Sequence, residues 1–474
     1  MSNTSDLYRS RLLSNDDLIS RIRPGDILAL GSWMGQPHGF MRALSKVASK
    51  IDPLYVITAP ASGAGELLSS PNVICLTGFM GPVERAAQRN HRNVFYTPTQ
   101  YADAYRAIRV NPPPRFIIVR AAPLDERGYF NLSLSSSWTN DAMRYFFRTS
   151  PETRIVLEIN PHMPRVCGLK QFGSNEIHIS EVHHVVEDDS PLPAYTVPEP
   201  NELERAIAVN VANLVEDRAT IQLGIGTIPM GIGRLLNARK ELGIHTELFC
   251  QSHVDLIEAG SVTNAHKGLF DGVSVATFAL GEEKLYRWLA DNKSFAMVPV
   301  EEINPVAVLA RIQRMTSINS ILTIDLTGQA CAHCLGTQTY SGLGGAFEFA
   351  FGAQQSPGGK SIVCLPSKTR LKDGREVSNI LPRHEAGTRI TLPEHCIDWV
   401  VTEYGAVRLK FLNLEFRASA LIEIAHPQFR DELSRQAMAN GLNLSGLSRL
   451  PRPPEKFFSR VQPGETSLKN LCAT

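Results

Sequence analysis

Short apolar runs punctuate the first third of the chain, at residues 27–30, 55–58, 73–76, 94–96, 116–119 and 155–159. Each is too short for a helix, and the longer ones are continuous rather than alternating, which marks strands covered on both faces. Segments with apolar residues at helical spacing lie between several of them, such as Phe40, Leu44 and Val47 after the first run. Strands separated by helices predict a mostly parallel sheet. Leu12, Leu13, Leu18 and Ile22 add a helical opening over residues 1–24. The stretch 123–130, PLDERGYF, reads as a turn leading to a hairpin.

The pattern changes over 183–201, HHVVEDDSPLPAYTVPEPN, which is rich in proline and acid and reads as a linker. A boundary there divides the chain into residues 1–190 and 191–474. The second part begins again with a helix over 202–215 and an apolar run containing Ile221 and Leu223. That run enters the small-residue turn Gly224-Ile225-Gly226-Thr227-Ile228-Pro229, and a helical face of Ile232, Leu235 and Leu236 follows. A break at Gly243 leads to a second short run ending at Glu247. Strand, glycine turn, helix and strand make a βαβ unit, whose ligands bind beyond the carboxyl ends of the strands. The stretch 27–47, with GSWMGQP after its strand, repeats this style. The expected fold is therefore α/β, with two tandem open α/β domains, mostly parallel sheets and a cleft between them.

Composition narrows the function. The chain has 474 residues, a net charge of +1 and no long basic run, which excludes the electrostatic footprint of a nucleic-acid binder. No apolar stretch approaches the roughly 20 residues of a membrane helix, and the polar start MSNTSDLYRS carries no secretory h-region. A cytoplasmic protein without membrane partners is expected. Eight cysteines spread over so long a chain fit reduced thiols better than a disulfide framework. Cys331-Ala-His-Cys334 has CxxC spacing, yet no second pair follows, so structural thiols and no metal are expected. His183 and His184 are adjacent and would face opposite ways in a strand, a poor chelate.

Candidate chemistry gathers in three places. Gly224 and Gly226 let backbone approach a ligand just before a helix N-terminus, which suits an anionic group such as a pyrophosphate. Glu247 is a carboxylate in apolar company, which by itself reads as a paired structural residue or a tuned reactive one. The stretch 341–349, SGLGGAFEF, offers unhindered backbone amides able to form an oxyanion hole.

Several motifs together make the chain recognisable: LGIGTIP at 223–229, GIHTELF at 243–249, VTNAHKG at 262–268 and SINSILTIDLTGQ at 317–329. YSGLGGAFEF at 340–349, VVTEYG at 400–405 and LIEIAHPQFRDEL at 421–433 follow, while GSWMGQP and PLDERGYFNLS fit more loosely. In order and spacing they resemble the acetyl-CoA hydrolase/transferase family, class I CoA-transferases of the 4-hydroxybutyrate and butyryl-CoA:acetate type. The resemblance implies that Glu247 is a nucleophile attacking an acyl-CoA thioester on the way to a glutamyl-CoA thioester. It implies oxyanion donors at Gly344, Gly345 and Ala346. CoA would be held by Gly224, Ile225, Gly226, Thr227, Ile228 and Gly345, with Arg370 on its phosphate. CoA and acyl-CoA are then substrates, with no permanent cofactor; a carboxylic acid is the acceptor, and a homodimer is expected. An acyl-CoA hydrolase on the same scaffold, or a CoA-binding relative without turnover, is the alternative.

The chain also departs from the family pattern. Ala346 and Glu348 stand where the family has glutamine and aspartate, and Asn379 and Glu394 stand at arginine positions. Cys250-Gln251-Ser252 replaces an acidic-glycine turn. If these positions line the site, charged acceptors bind less well, and a specialised acyl group is expected.

Overall fold

The strand Phe116–Ala121, FIIVRA, is buried at all six positions, as expected of a parallel strand with helices on both faces. It belongs to a sheet of seven strands: β1 (Ile27–Leu30), β2 (Leu54–Ile57), β3 (Val73–Thr77), β4 (Val94–Tyr96), β5 (Phe116–Ala121), β6 (Arg154–Ile159) and β7 (His184–Glu187). Their order is β4-β3-β2-β1-β5-β6-β7, and every neighbouring pair is parallel. The chain runs outward on one side of β1 and then returns to the other, so a topological switch point lies at the carboxyl end of β1. Our computed structural model describes residues 2–60, 63, 65–110, 112–224 and 226–460. No helix among the described residues is long and apolar enough to cross a membrane.

The second half builds a further sheet. Its strands are β8 (Thr220–Leu223), β9 (Gly243–Ile244), β10 (Ser274–Ala276), β11 (Phe295–Met297), β12 (Met315–Ser320), β13 (Lys360–Cys364), β14 (Trp399–Thr402), β15 (Gly405–Arg408) and β16 (Phe458–Arg460). The continuous order is β9-β8-β12-β13-β14-β15-β16, parallel as far as β14 and antiparallel at β15 and β16. A parallel bridge between His245 and Val275 joins β10 to the end of β9, and β11 pairs parallel with β10. With these the order from β11 to β14 repeats that of the first sheet strand for strand. The turn after β8 thus corresponds to the turn after β1, and the loop after β9 to the loop after β2.

A core shared by the two halves packs Met34, Ala122 and Leu134 with Ile221, Ile244, Phe249 and Phe278. In the first sheet Arg120 is wholly buried in a strand otherwise apolar. Its guanidinium meets the equally buried Glu158 at 2.9 Å and Asp188 at 3.1 Å, the paired arrangement a buried charge requires.

One local expectation is corrected. Part of the predicted linker, His184–Glu187, pairs with β6 as β7, because Val185 and Val186 continue the buried face; only 188–201 lacks regular structure. The stretch 123–130 turns back as expected, with Ala122 bridging Asn131 antiparallel (Ala122 N–H to Asn131 carbonyl, 2.8 Å), and Tyr129–Asn131 also pairs antiparallel with Glu176–His178.

Candidate functional site

Glu247 is aimed by a strand end fixed from every side. Ile221 on β8 stands opposite Ile244 on β9, so Gly224 and Glu247 lie three residues further on at the same end of the sheet. The Thr246 N–H donates to the Val275 carbonyl (3.1 Å), and the Glu247 carbonyl accepts from the N–H groups of Thr277 (3.1 Å) and Phe278 (3.2 Å). Beneath it, His245 Nε2 bonds the Ile303 carbonyl at 2.8 Å, and burial pushes this imidazole down to about 3, leaving it neutral. Lys267 Nζ donates to the carbonyls of Ile244 (3.0 Å) and Val273 (2.6 Å), and burial pushes its ammonium down to about 7.

The carboxylate itself meets two donors. Asn304 Nδ2 donates to Glu247 Oε2 at 2.8 Å, and the Gly345 backbone N–H gives a second bond. Burial pushes Glu247 up to about 7, and the two donors pull the other way. The same Asn304 amide reaches Glu348 Oε2 at 3.3 Å. Burial, followed by the charge of Glu247, pushes Glu348 up to about 8. Burial thus disfavours the charged form of both carboxyls, and a charge on Glu247 disfavours a second on Glu348.

The third glycine of SGLGGAFEF, Gly345, lies against Glu247. A Cβ on Gly345 would sit 2.3 Å from Glu247 Oε2, whereas one on Gly344 would be 4.0 Å from Oε1. Of the three expected oxyanion donors, Gly344 and Gly345 are thus brought to the carboxylate. The Ala346 N–H instead donates to the Leu343 carbonyl at 3.3 Å, closing the turn that starts the helix Ala346–Gln355. The first half helps to hold this loop: Tyr101 N–H donates to the Gly344 carbonyl (3.1 Å), and Arg85 Nη1 to that of Tyr340 (2.5 Å).

Glu247 and Gly344 form one side of a cavity of about 110 Å³. The rest comes from loops beyond the carboxyl ends of β1 to β4: Trp33, residues 57–60, 76–79, 97 and 99–101, with Ala104, Ala107, Ile108 and Trp138. These lining residues include no lysine, arginine or histidine. Trp33 sits at φ +54°, an unusual conformation for so large a residue, and stacks on Phe278 with ring centroids 4.6 Å apart. The volume corresponds to roughly ten water-sized positions, room for an organic group of comparable heavy-atom count.

The other expected positions are elsewhere. Gly226 has φ +131° and precedes the helix Thr227–Leu235, whose first turn carries no side-chain cap. The Thr227 hydroxyl bonds Glu204, Ile228 is buried, and Ile225 lies outside the described residues. Arg370 is exposed on the hairpin of Lys368–Arg370 with Glu376–Ser378, its Nε donating to the Gly374 carbonyl at 3.3 Å. Of these, no described residue lines the cavity. Asn379 donates to Pro366 O (2.8 Å) and Thr369 Oγ1 (2.9 Å), and the Glu394 carbonyl accepts from Arg417 (2.7 Å). Both are absent from the cavity wall, so their departures do not alter its charge by direct contact. The sequence reading missed Asn304 and the aromatic walls. Only Trp33, inside a strand–turn–helix unit already singled out, carried a signal.

Residues 281–437 match the model of the acetyl-CoA hydrolase/transferase C-terminal domain. The chain is 34% identical over 434 residues to the succinyl-CoA:cyclohexane-1-carboxylate CoA transferase of Geobacter metallireducens, covering 91% of this chain and 95% of that protein. It is 32% identical over 439 residues to the 4-hydroxybutyrate coenzyme A transferase of Clostridium kluyveri, covering 91% and 98%. Among solved structures, RipA from Yersinia pestis superposes with a TM-score of 0.84 at 33% identity, covering 93% of this chain and 99% of RipA.

Proposed function

Because the chain belongs to the acetyl-CoA hydrolase/transferase family and is a CoA-transferase of that family, we propose that it transfers CoA through a thioester on Glu247, from acyl-CoA donors to acceptor acids with uncharged, apolar acyl chains. The observation that carries this reading is the placement of Glu247 and Gly344 in the wall of an aromatic cavity without cationic residues.

In this reading the Glu247 carboxylate attacks the thioester carbonyl and needs no general base. A tetrahedral oxyanion forms, then collapses to a mixed anhydride and CoA thiolate. At that point Glu247 has lost its charge, and the Gly345 N–H that held the free carboxylate becomes available to an oxyanion. The thiolate attacks the glutamyl carbonyl, giving glutamyl-CoA and releasing the first acid. An acceptor carboxylate then attacks the glutamyl thioester, and the returning thiolate completes the new acyl-CoA and regenerates Glu247. Each oxyanion donor is worth about 3–4 kcal/mol by comparison with measured cases. Trp33, Phe79, Tyr101 and Trp138 supply bulk that excludes water, which would otherwise drain the thioester to hydrolysis. The turn 224–228 and Arg370 are the candidates for the CoA nucleotide, whose binding energy serves the reacting end. We expect the working form to be a homodimer.

The test is a panel of acyl-CoA donors followed by hydroxylamine or borohydride trapping and peptide mass mapping. Modification at Glu247, and new acyl-CoA when an apolar carboxylate is added, are expected. Absence of a label with CoA binding retained would sink the covalent route. Release of free CoA alone, with the label present, would identify a hydrolase.

A further inference from the structure

Behind the glycine loop lies a second cluster with chemistry of its own. Cys331, His333 and Cys334 are all buried, and one ligand atom from each lies within 4.8 Å of the others. Spacing alone argued against a metal here, since no second CxxC follows. The fold changes that reading by turning His333 inward between the two thiols and supplying the third donor from within the motif. We propose that Cys331, His333 and Cys334 bind a single Zn(II)-class ion, and that this ion stiffens the mount of the glycine loop facing Glu247.

Two thiols and an imidazole are the donor types that soft, tetrahedral ions prefer. Zinc–thiolate bonds of about 2.3 Å place tetrahedral ligands roughly 3.8 Å apart, so the cluster closes by about 1 Å at most to accept the ion. The orienting contact is in place: His333 Nδ1 lies 2.6 Å from Thr391 Oγ1. Cys331 Sγ gives up a weak contact, 3.5 Å to the Cys334 carbonyl, and its side-chain contact with Cys334. Burial holds the His333 imidazole neutral, and Arg389, bonded to Thr339 on the adjoining hairpin, adds a nearby positive charge that acts the same way. On binding, each thiol releases one proton to solvent, a water takes the fourth position, and two thiolates, one neutral imidazole and a dication give a complex of zero net charge. Such a complex suits a buried place. No electron is transferred.

The cluster also holds the catalytic loop. The His333 carbonyl accepts from the N–H groups of Tyr340 (2.8 Å) and Ser341 (3.2 Å), and the Ser341 hydroxyl donates to the Ala332 carbonyl (3.3 Å). Gly344 and Gly345 follow within four residues. Fixing residues 331–334 to an ion therefore fixes the backbone from which the oxyanion donors hang.

The full-length protein, reduced and stripped by chelator, is titrated with Zn(II) against a chromogenic chelator, and with Co(II) as a spectroscopic probe. One equivalent bound, with thiolate-to-cobalt charge transfer and tetrahedral ligand-field bands, is expected. Slower hydrogen exchange over residues 330–345 accompanies loading. Cys334→Ser abolishes the charge-transfer band or sharply weakens it, while Cys250→Ser, at the other Cys–His contact, leaves it unchanged. Thr391→Val weakens binding by roughly 10- to 100-fold through His333 orientation. A folded, reduced wild type without cobalt–thiolate absorption overturns the proposal, whichever variants fold. So does binding that survives Cys334→Ser intact, or a Cys331–Cys334 disulfide with no ion bound after its reduction.

Discussion

Replacing Gly345 by alanine tests the geometry at the reacting atom while sparing most of the fold. Gly345 has φ −96°, which any residue adopts, so the substitution carries no backbone penalty. The added Cβ would stand 2.3 Å from Glu247 Oε2 and 2.4 Å from Asn304 Nδ2. Reaching the 3.0 Å limit of real contacts requires displacements of 3.0 − 2.3 = 0.7 Å and 3.0 − 2.4 = 0.6 Å. Both atoms are ends of side chains, so the protein yields there cheaply, and stability falls by no more than about 1–2 kcal/mol. Catalysis does not yield cheaply. A misplacement near 1 Å costs about 10²-fold, and loss of one oxyanion donor costs about 10²–10³-fold. We expect kcat/KM to fall by about 10²–10³, or about 2.7–4 kcal/mol. The assay is acyl-CoA formation under steady-state conditions, beside a urea melt and the Glu247 trapping experiment. Gly344→Ala is the contrasting control. Its Cβ has room, 3.8 Å from Phe79, but φ is +52°, so about 1–2 kcal/mol of stability is lost. A Gly345→Ala enzyme within threefold of wild type would refute the placement of this loop against the nucleophile.

Glu247→Gln removes the charge that attacks the thioester; turnover and the trapped adduct both disappear, while CoA binding measured by calorimetry remains. Because burial raises Glu247 to about 7 and the carboxylate is the reacting form, kcat/KM rises with pH through about 7 and levels above it. Asn304→Ala removes a donor that favours the carboxylate, so the same limb moves to higher pH, as a full pH profile would reveal. Arg370→Ala raises KM for acyl-CoA with kcat nearly unchanged if Arg370 holds a remote phosphate. Glu158→Gln leaves the buried Arg120 with Asp188 as its remaining ion-pair partner, and denaturant unfolding should record a loss of up to about 3–5 kcal/mol.

The parts of this protein that were legible are those written in contiguous residues. Apolar runs announced the strands, and the stretch 219–264 announced a βαβ unit ending in Glu247. The amide-rich loop was visible as a run of small residues, although only the fold distinguishes Gly345, which touches the carboxylate, from Ala346, whose N–H closes a turn. Asn304 left no trace, because an asparagine before proline in a loop reads as punctuation. The cavity walls were illegible for a related reason: each loop after β1 to β4 contributes a few residues from a separate part of the chain, and no local pattern links them. The departures at Asn379 and Glu394 looked important in a linear alignment, yet their contacts lie away from the cavity.

The two repeated sheets divide labour in a way that bears on descent. One half carries Glu247 and the amides that face it, and the other contributes most of the cavity walls, which in the proposed function surround the acyl group. Exchanges in the loops after β1 to β4 can therefore retool which acid is handled without disturbing the reactive centre. A lineage built on this plan diversifies its diet through one half while the chemistry in the other stands still.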